Sequence, residues 1–342
     1  MGSAVGTTIG AWFAPEVLGT GSLGTTRLAV IVPLVLLAVR FAWPGSRTPG
    51  EIAEFNRRAR AAIFLGPALL FLSANLIIPA IRTLYTSLLD RESEDFVGLD
   101  NFQGLVQDEA FVDLTFSNTL WWALTVTFAS TLIGLIIAVI AERAGKLEST
   151  AKSLIFMPMA VSFVGASIIW RFQYAPRNIS KNQTGVLNAV WIRIGSLSQS
   201  GWPRLAPFNN VFLMVILIWA QAGFAMVILS AAIKAVPGEL IEAAKIDGAD
   251  ESQQFFRVIL PQILPSVGVV VTATVVGVAK VFDIVKVSTG GNFGTNVLAN
   301  DFFTESFQNQ DRGTGSAIAV TILITVAPIL IFNIRQMQKE AV

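Results

Sequence analysis

The sequence predicts an all-α membrane protein, a polytopic helical bundle of about seven transmembrane helices, and three observations lead there. Of its 342 residues 53% are hydrophobic and 14% charged, whereas a soluble domain carries about a quarter of its residues as charges. Apolar runs of membrane-spanning length recur along the whole chain. The polar segments between them alternate in sign much as loops on opposite faces of a bilayer do.

Residues 1–26 are rich in Gly and Thr, with Glu16 the one acid and no basic residue before Arg27. A secretory signal peptide needs a basic region first, so none is read here. The first span covers 27–43, with Arg40 near its end as a headgroup anchor. The following linker holds Pro44, Gly45, Pro49 and four arginines, Arg47, Arg57, Arg58 and Arg60, which places it in the cytoplasm. Residues 1–60 thus form an N-terminal extension, and 61–342 the transmembrane domain.

The second span, 61–81, carries Pro67, Asn75 and Pro79, and its prolines free backbone carbonyls that a neighbour or cavity must satisfy. Residues 83–117 are strongly acidic and belong outside. Spans three and four, 118–140 and 152–172, flank a short loop with Arg143, Lys146 and Lys152, expected in the cytoplasm. The segment 173–208 reads as a polar outer loop, although its cations Arg177, Lys181, Arg193 and Arg204 stand without an acid. Spans five, six and seven cover 209–234, 263–284 and 316–334, and Arg335 and Lys339 put the C-terminus inside, the N-terminus outside.

Pro237 to Pro261 is the longest polar stretch lying directly between two strongly apolar spans in the second half of the chain. Pro237 fits the first turn of a helix, with Glu239 near the positive end of its dipole. Gly248 suits the left-handed residue just past the helix end. Asp250 and Gln253 form an acidic capping-box pattern, so a second helix is expected from there, ending before Pro261.

These residues carry a family resemblance. Glu242-Ala243-Ala244, Gly248 four residues on, and Val258-Ile259-Leu260-Pro261 resemble the cytoplasmic "EAA" loop of permeases of ABC importers. Pro158 to Ser162, Trp170 to Tyr174 and Gly185-Val-Leu-Asn188 resemble elements of the carbohydrate-uptake branch, the second of them its maltose/α-glucoside type. Phe282-Asp283 and Thr289-Gly-Gly-Asn-Phe-Gly-Thr295 resemble its Phe-Asp and Thr-x-Gly-Gly-Pro elements, with Asn292 where proline is common. The resemblance spans roughly residues 60–340 and implies a six-helix core, the first span being an addition.

It also implies that the loop inserts into a cleft of separate ATP-binding subunits, with Glu239, Glu242, Ala243, Ala244, Asp247, Gly248 and Pro261 as the coupling residues. A second, non-identical permease subunit and an extracytoplasmic solute-binding protein are implied as partners beside the membrane lipid. ATP and Mg belong to the ATPase, and this chain is expected to bind no cofactor. The sequence accords with this, because it lacks a Gly-x-x-x-x-Gly-Lys-Ser/Thr phosphate loop. With no Cys and no His, disulfides, thiol nucleophiles, imidazole bases and the usual zinc ligands are excluded, and as a transport subunit the chain is expected to hold no catalytic residue. A net charge of +1 argues against nucleic acid.

A hydroxylated solute crossing the bilayer must exchange water hydrogen bonds for protein ones near mid-depth. Gln221, with Trp219 beside it and Phe224 one turn on, offers an amide and flat apolar faces for a sugar; Thr274 and Asn75 fall at similar depth. Thr and Asn also serve as cross-helix links, and aromatics as packing. Other readings are an ABC permease for a different polar solute, an ion-coupled secondary transporter, for which no acidic pair sits at mid-depth, and a membrane scaffold, which needs no docking loop.

Overall fold

The structure is a computed structural model that describes residues 60, 64–142, 145–175, 184–193 and 208–340. The expected first span lies outside the described residues, as do most of the linker after it and much of 173–208. Among the described residues the architecture is helical, and the sole extended pairing is an isolated antiparallel bridge between Leu89 and Phe96. The chain divides into two compact units, Met1–Tyr85 and Thr86–Val342.

The first unit contributes α1 (Phe64–Thr86), whose last residue opens the second unit. A π-helical turn at Ser73–Ile77 interrupts it, two residues before Pro79. Wider turns of this kind let a helix accommodate a proline that cannot continue the ordinary ladder.

The second unit holds α2 (Asp100–Gln107), α3 (Phe111–Glu142), α4 (Glu148–Phe156), α5 (Phe163–Gln173), α6 (Val186–Arg193) and α7 (Asn209–Lys234). It continues with α8 (Gly238–Ile246), α9 (Glu251–Val278), α10 (Asp283–Ser288), α11 (Leu298–Phe303) and α12 (Arg312–Glu340). α1, α3, α7, α9 and α12 are long and apolar enough to cross a membrane, and α4 with α5 makes a sixth candidate if counted as one bent span.

Span four is therefore broken rather than continuous. After α4 the chain tightens into a 3-10 turn at Met157–Ala160, then Val161 and Ser162 are extended and α5 leaves at 100°. Pro158 enters that turn, and Ser162 caps α5 by accepting from the amide of Gly165 at 3.1 Å. A serine in this role satisfies an orphan amide and fixes a helix start. The segment read as a loop after span four also contains α6, which packs on α5; Gly185, just before it, lies so close to the carbonyl of Gln173 that a Cβ would collide.

α3 and α7 make the most extensive helix pair and run parallel. The indole of Trp122 near the start of α3 donates to Asn210 Oδ1 at 3.0 Å, and Glu142 at its end meets Ser230 near the end of α7. α9 runs the other way: Val270 packs with Ala138, Met226 and Leu229, and Val278 with Trp122 and Leu217. A methyl placed on Gly134 would lie 2.5 Å from the Ala225 Cβ and 2.8 Å from the Met226 nitrogen. Only a residue without a side chain lets the two backbones come this close.

Span six ends earlier than expected, at Val278, and α10 begins afresh at Asp283. The turn between them drives Ile284 and Val285, both fully buried, into the core with Trp122 and Leu213. Burial of that apolar surface outweighs the few helical hydrogen bonds lost at the break.

Candidate functional site

The expected docking stretch forms a corner. α8 has Glu239 in its first turn, and Pro237 stands outside the helix as its cap residue with ψ 128°, not within the first turn as the sequence suggested. Proline at that place pre-sets the entry angle without consuming a helical amide. The far end closes on Gly248, whose φ is +83°. The Gly248 amide donates to the Lys245 carbonyl at 3.1 Å and the Ala249 amide to the Ala244 carbonyl at 2.9 Å. This pair of bonds is the Schellman motif, which needs a left-handed residue at the Gly248 position.

α9 then starts with the expected capping box: Gln253 N donates to Asp250 Oδ1 at 2.8 Å and Asp250 N to Gln253 Oε1 at 3.0 Å. The second helix does not stop before Pro261. It runs through a π-helical turn at Phe255–Ile259, with the Leu260 amide bonded to the Phe255 carbonyl, and carries Pro261 into the long span. The five-residue register of that turn spares the carbonyl a proline ring would otherwise strike. Gln254, which sequence reading passed over, is 8% exposed and donates to the Ala249 carbonyl at 2.7 Å, fastening the second helix to the corner.

Ala244 is the one buried residue of α8, which packs on the π turn; Glu239, Glu242, Ala243, Asp247, Gly248 and Pro261 are exposed. Ile246 is 87% exposed and Phe256 65% exposed. This polar and apolar surface is covered by nothing in the described part of the chain.

The five mid-span candidates fare differently. Gln221 is half-buried on α7, and its amide nitrogen lies 3.7 Å from where a Cβ at Gly277 of α9 would stand. Among the described residues its side chain has no hydrogen-bond partner. Thr274, one turn before Gly277, is 1% exposed with an unpartnered hydroxyl. Gln221 thus faces α9 across the α7–α9 contact, and Thr274 lies on α9 one turn from that point. Trp219 packs edge-on against Trp170 of α5 with ring centroids 5.7 Å apart, and Trp170 in turn meets Tyr174; it serves the core. Phe224 is half-buried. Asn75 belongs to the first unit and donates to the Phe71 carbonyl of its own helix at 2.8 Å.

Two features escaped the sequence reading. Thr127 and Thr131, one turn apart on α3, are buried with unpartnered hydroxyls like that of Thr274; hydroxyls spaced four apart in an apolar helix were the available signal. The other is an asparagine network around 289–296. There Gly290, Gly291, Phe293 and Gly294 all have positive φ. Asn118, at the start of α3, donates to the Gly294 and Asn296 carbonyls at 2.8 and 3.1 Å. Asn210 donates to Gly294 at 3.1 Å, and Asn209 to the Phe293 carbonyl. Asn296 donates to Asp301 Oδ1 at 2.9 Å, and burial pushes the Asp301 carboxyl above the ordinary aspartate range.

Long apolar helices, α3 and α7 parallel and α9 running against them, with buried unpartnered hydroxyls and an uncovered polar corner at one end, are the architecture of a polytopic membrane protein. The chain belongs to the family of binding-protein-dependent transport system inner membrane components, whose model matches residues 130–338. It is 45% identical over 310 residues to the alpha-glucoside transport system permease protein AglF of Rhizobium meliloti (strain 1021), covering 89% of this chain and 91% of that one. Over 278 residues it is 46% identical to the osmoprotective compounds uptake permease protein GgtC of Synechocystis sp., covering 81% of this chain and 99% of that one. Among solved structures it matches a bacterial ABC transporter involved in the import of the acidic polysaccharide alginate. That match has TM-score 0.72 and 20% identity, over 84% of this chain and 98% of the other, a likeness of fold.

Proposed function

We propose that this chain is the permease subunit of an ATP-driven importer for an α-glucoside-like di- or oligosaccharide. The observation that carries the coupling half of this reading is the rigid, uncovered corner from α8 to α9. A Schellman motif closes the far end of α8 and a capping box opens α9 directly after it, so the corner between the two helices is fixed on both sides, and exposed Ile246, beside acidic Glu239 and Glu242, suits insertion into a protein cleft. That cleft belongs to a separate ATP-binding subunit, which holds ATP and Mg. The corner end of the bundle faces the cytoplasm of a cell whose inner membrane the protein crosses, with the C-terminus inside and the N-terminus outside. A second, non-identical permease completes the pathway, and an extracytoplasmic binding protein delivers the solute.

The solute half rests on the likeness to the α-glucoside permease and on Gln221 and Thr274, whose free amide and hydroxyl can exchange water hydrogen bonds for sugar ones. The equally similar osmoprotectant permease favours a second reading, a smaller compatible solute. Affinity purification of the tagged chain from its native membrane, followed by mass spectrometry, tests the assembly. A phosphate-loop ATPase and a solute-binding protein should co-purify, and recovery of the chain alone across mild detergents defeats the importer reading. Uptake of labelled maltose and maltotriose against glycine betaine then separates the two readings.

A further inference from the structure

Four charges close the corner end of the bundle. Lys152 on α4 reaches Glu142 at the end of α3 and Glu148 one turn back, both at 2.5 Å, and also donates to the Ser230 hydroxyl of α7. That hydroxyl in turn donates to Glu142. Lys234, the last residue of α7, pairs with Glu148 and lies 3.6 Å from the second Glu142 oxygen. The sequence reading counted Lys152 as a loop cation that marks membrane orientation; it stands instead in the second turn of α4, enclosed by partners.

The cluster is neutral, and its centre is withdrawn from water: the side chains of Glu142, Lys152 and Glu148 are 18%, 18% and 22% exposed. Opening it would leave two carboxylates facing each other, partly desolvated and without their shared cation, a costly state. It stands where three helices already approach at backbone distance. Gly134 admits α7 to α3, and a Cβ on Gly223 of α7 would lie 2.6 Å from the Ile155 carbonyl of α4.

The place in the chain gives the cluster its meaning. Only residues 235–237 separate Lys234 from α8, and the amides of Ala235 and Val236 are still bonded back into α7, at 3.1 and 3.2 Å. On its other side α8 leads through Gly248 to the π turn of α9, a wider and less regular element. We propose that Glu142, Glu148, Lys152, Ser230 and Lys234 form a permanent clasp that makes the end of α7 and the α3–α4 turn one body. Motion of α8 is therefore passed into α3 and α4 and is not absorbed at the α7 terminus. This inference rests on the coupling reading above and makes Lys152 a positioning residue for it.

This chain has no cysteine, so with any cysteines of the partner subunits replaced by serine the two introduced sites are the ones labelled. Spin labels are placed at Leu147→Cys, which is 69% exposed, and at exposed Ala235→Cys, in the complete transporter purified from its native membrane. Pulsed electron resonance then gives the distance distribution with no nucleotide and with ATP and vanadate. The expected result is one narrow distribution in both states, broadened by Lys152→Met and restored by Lys152→Arg. The same Lys152→Met complex should hydrolyse severalfold more ATP per maltose moved. A distribution that shifts between nucleotide states without the mutation overturns the permanent clasp, and an unchanged one in Lys152→Met reduces it to surface pairing. If no ATPase co-purifies, the coupling reading falls by itself; the Lys152→Met comparison on the isolated chain still decides whether the clasp holds the helices.

Discussion

Asn118 donates to the Gly294 carbonyl at 2.8 Å and thereby ties the start of α3 to a loop 176 residues further on. Its second proton goes to Asn296, and its oxygen accepts from Asn210 at 3.2 Å. One amide therefore satisfies two carbonyls that no helix or strand serves. Asn118→Leu takes the donor from the Asn296 carbonyl and the acceptor from Asn210, while Gly294 keeps its bond from Asn210, at about 1–3 kcal/mol for a buried polar group left unpaired. The expected outcome is a lower melting temperature in detergent and faster amide exchange across 289–296. Asn118→Asp, which keeps the acceptor and loses the donors, should match it; wild-type exchange in that variant would show the donors to be dispensable.

Gly134 gives a prediction of opposite sign to its helix propensity. Alanine ordinarily stabilises a helix over glycine by roughly 0.5–1 kcal/mol. Here the new methyl meets the Ala225 Cβ at 2.5 Å and backbone atoms of Met226 and Ala222 at 2.8 and 3.0 Å, none of which can rotate away. Gly134→Ala should destabilise by about 1–3 kcal/mol, as overpacking does. Gly104→Ala on α2, where a Cβ meets nothing within 4 Å, should be neutral or stabilising in the same melting experiment.

What the sequence disclosed depended on whether the signal was local. The Gly248 corner and the Asp250–Gln253 capping box were legible because cap chemistry is written in adjacent residues, and span five matches α7 at both ends because its apolar run is uninterrupted. The break in span four was hidden, since hydropathy is blind to a 100° bend that Pro158, Val161 and Ser162 make together. Pro261 misled for the converse reason: the π turn that lets a helix pass a proline has no sequence period of its own. The asparagine network and the Lys152 clasp depend on bonds between residues 78 or more positions apart, Lys152 with Ser230 and Asn118 with Gly294 among them. Such pairings are invisible until the helices are packed.

Gly248 isolates a backbone effect, because a Cβ there meets nothing within 4 Å while φ stands at +83°. Gly248→Val should cost at least about 1 kcal/mol through the left-handed conformation alone and loosen the Schellman bonds to Ala244 and Lys245. Assembly with the ATPase should persist, and ATP hydrolysis should become uncoupled from uptake. Normal coupled uptake would remove the corner from the mechanism.

Asp301 predicts a pH dependence. Burial raises its carboxyl above the ordinary range, opposed by the hydrogen bond from Asn296. The folded protein then holds this proton more tightly than the unfolded chain. The group's contribution is fully present at pH values below the unfolded value of about 4 and is lost as the pH rises through the higher folded value. Asp301→Asn keeps an oxygen for Asn296 and does not titrate. Its melting temperature should be flat through this window while that of the parent falls; parallel curves would assign the titration to another group.

The mid-span hydroxyls permit a separation of packing from transport. Thr274 is 1% exposed with no partner for its oxygen, so in the resting fold the hydroxyl carries desolvation and gains nothing for it. Thr274→Val keeps the shape and should leave stability unchanged or raise it by about 1 kcal/mol. If the solute takes up that hydroxyl, the same change should raise the KM for maltose uptake by roughly fivefold, the worth of one neutral hydrogen bond near 1 kcal/mol. Gln221→Ala should do likewise, its amide facing Gly277 across the same helix contact. A stabilised Thr274→Val protein with unaltered uptake would assign the hydroxyl to packing and leave Gln221 alone to meet the solute; loss of affinity in both places the sugar between α7 and α9.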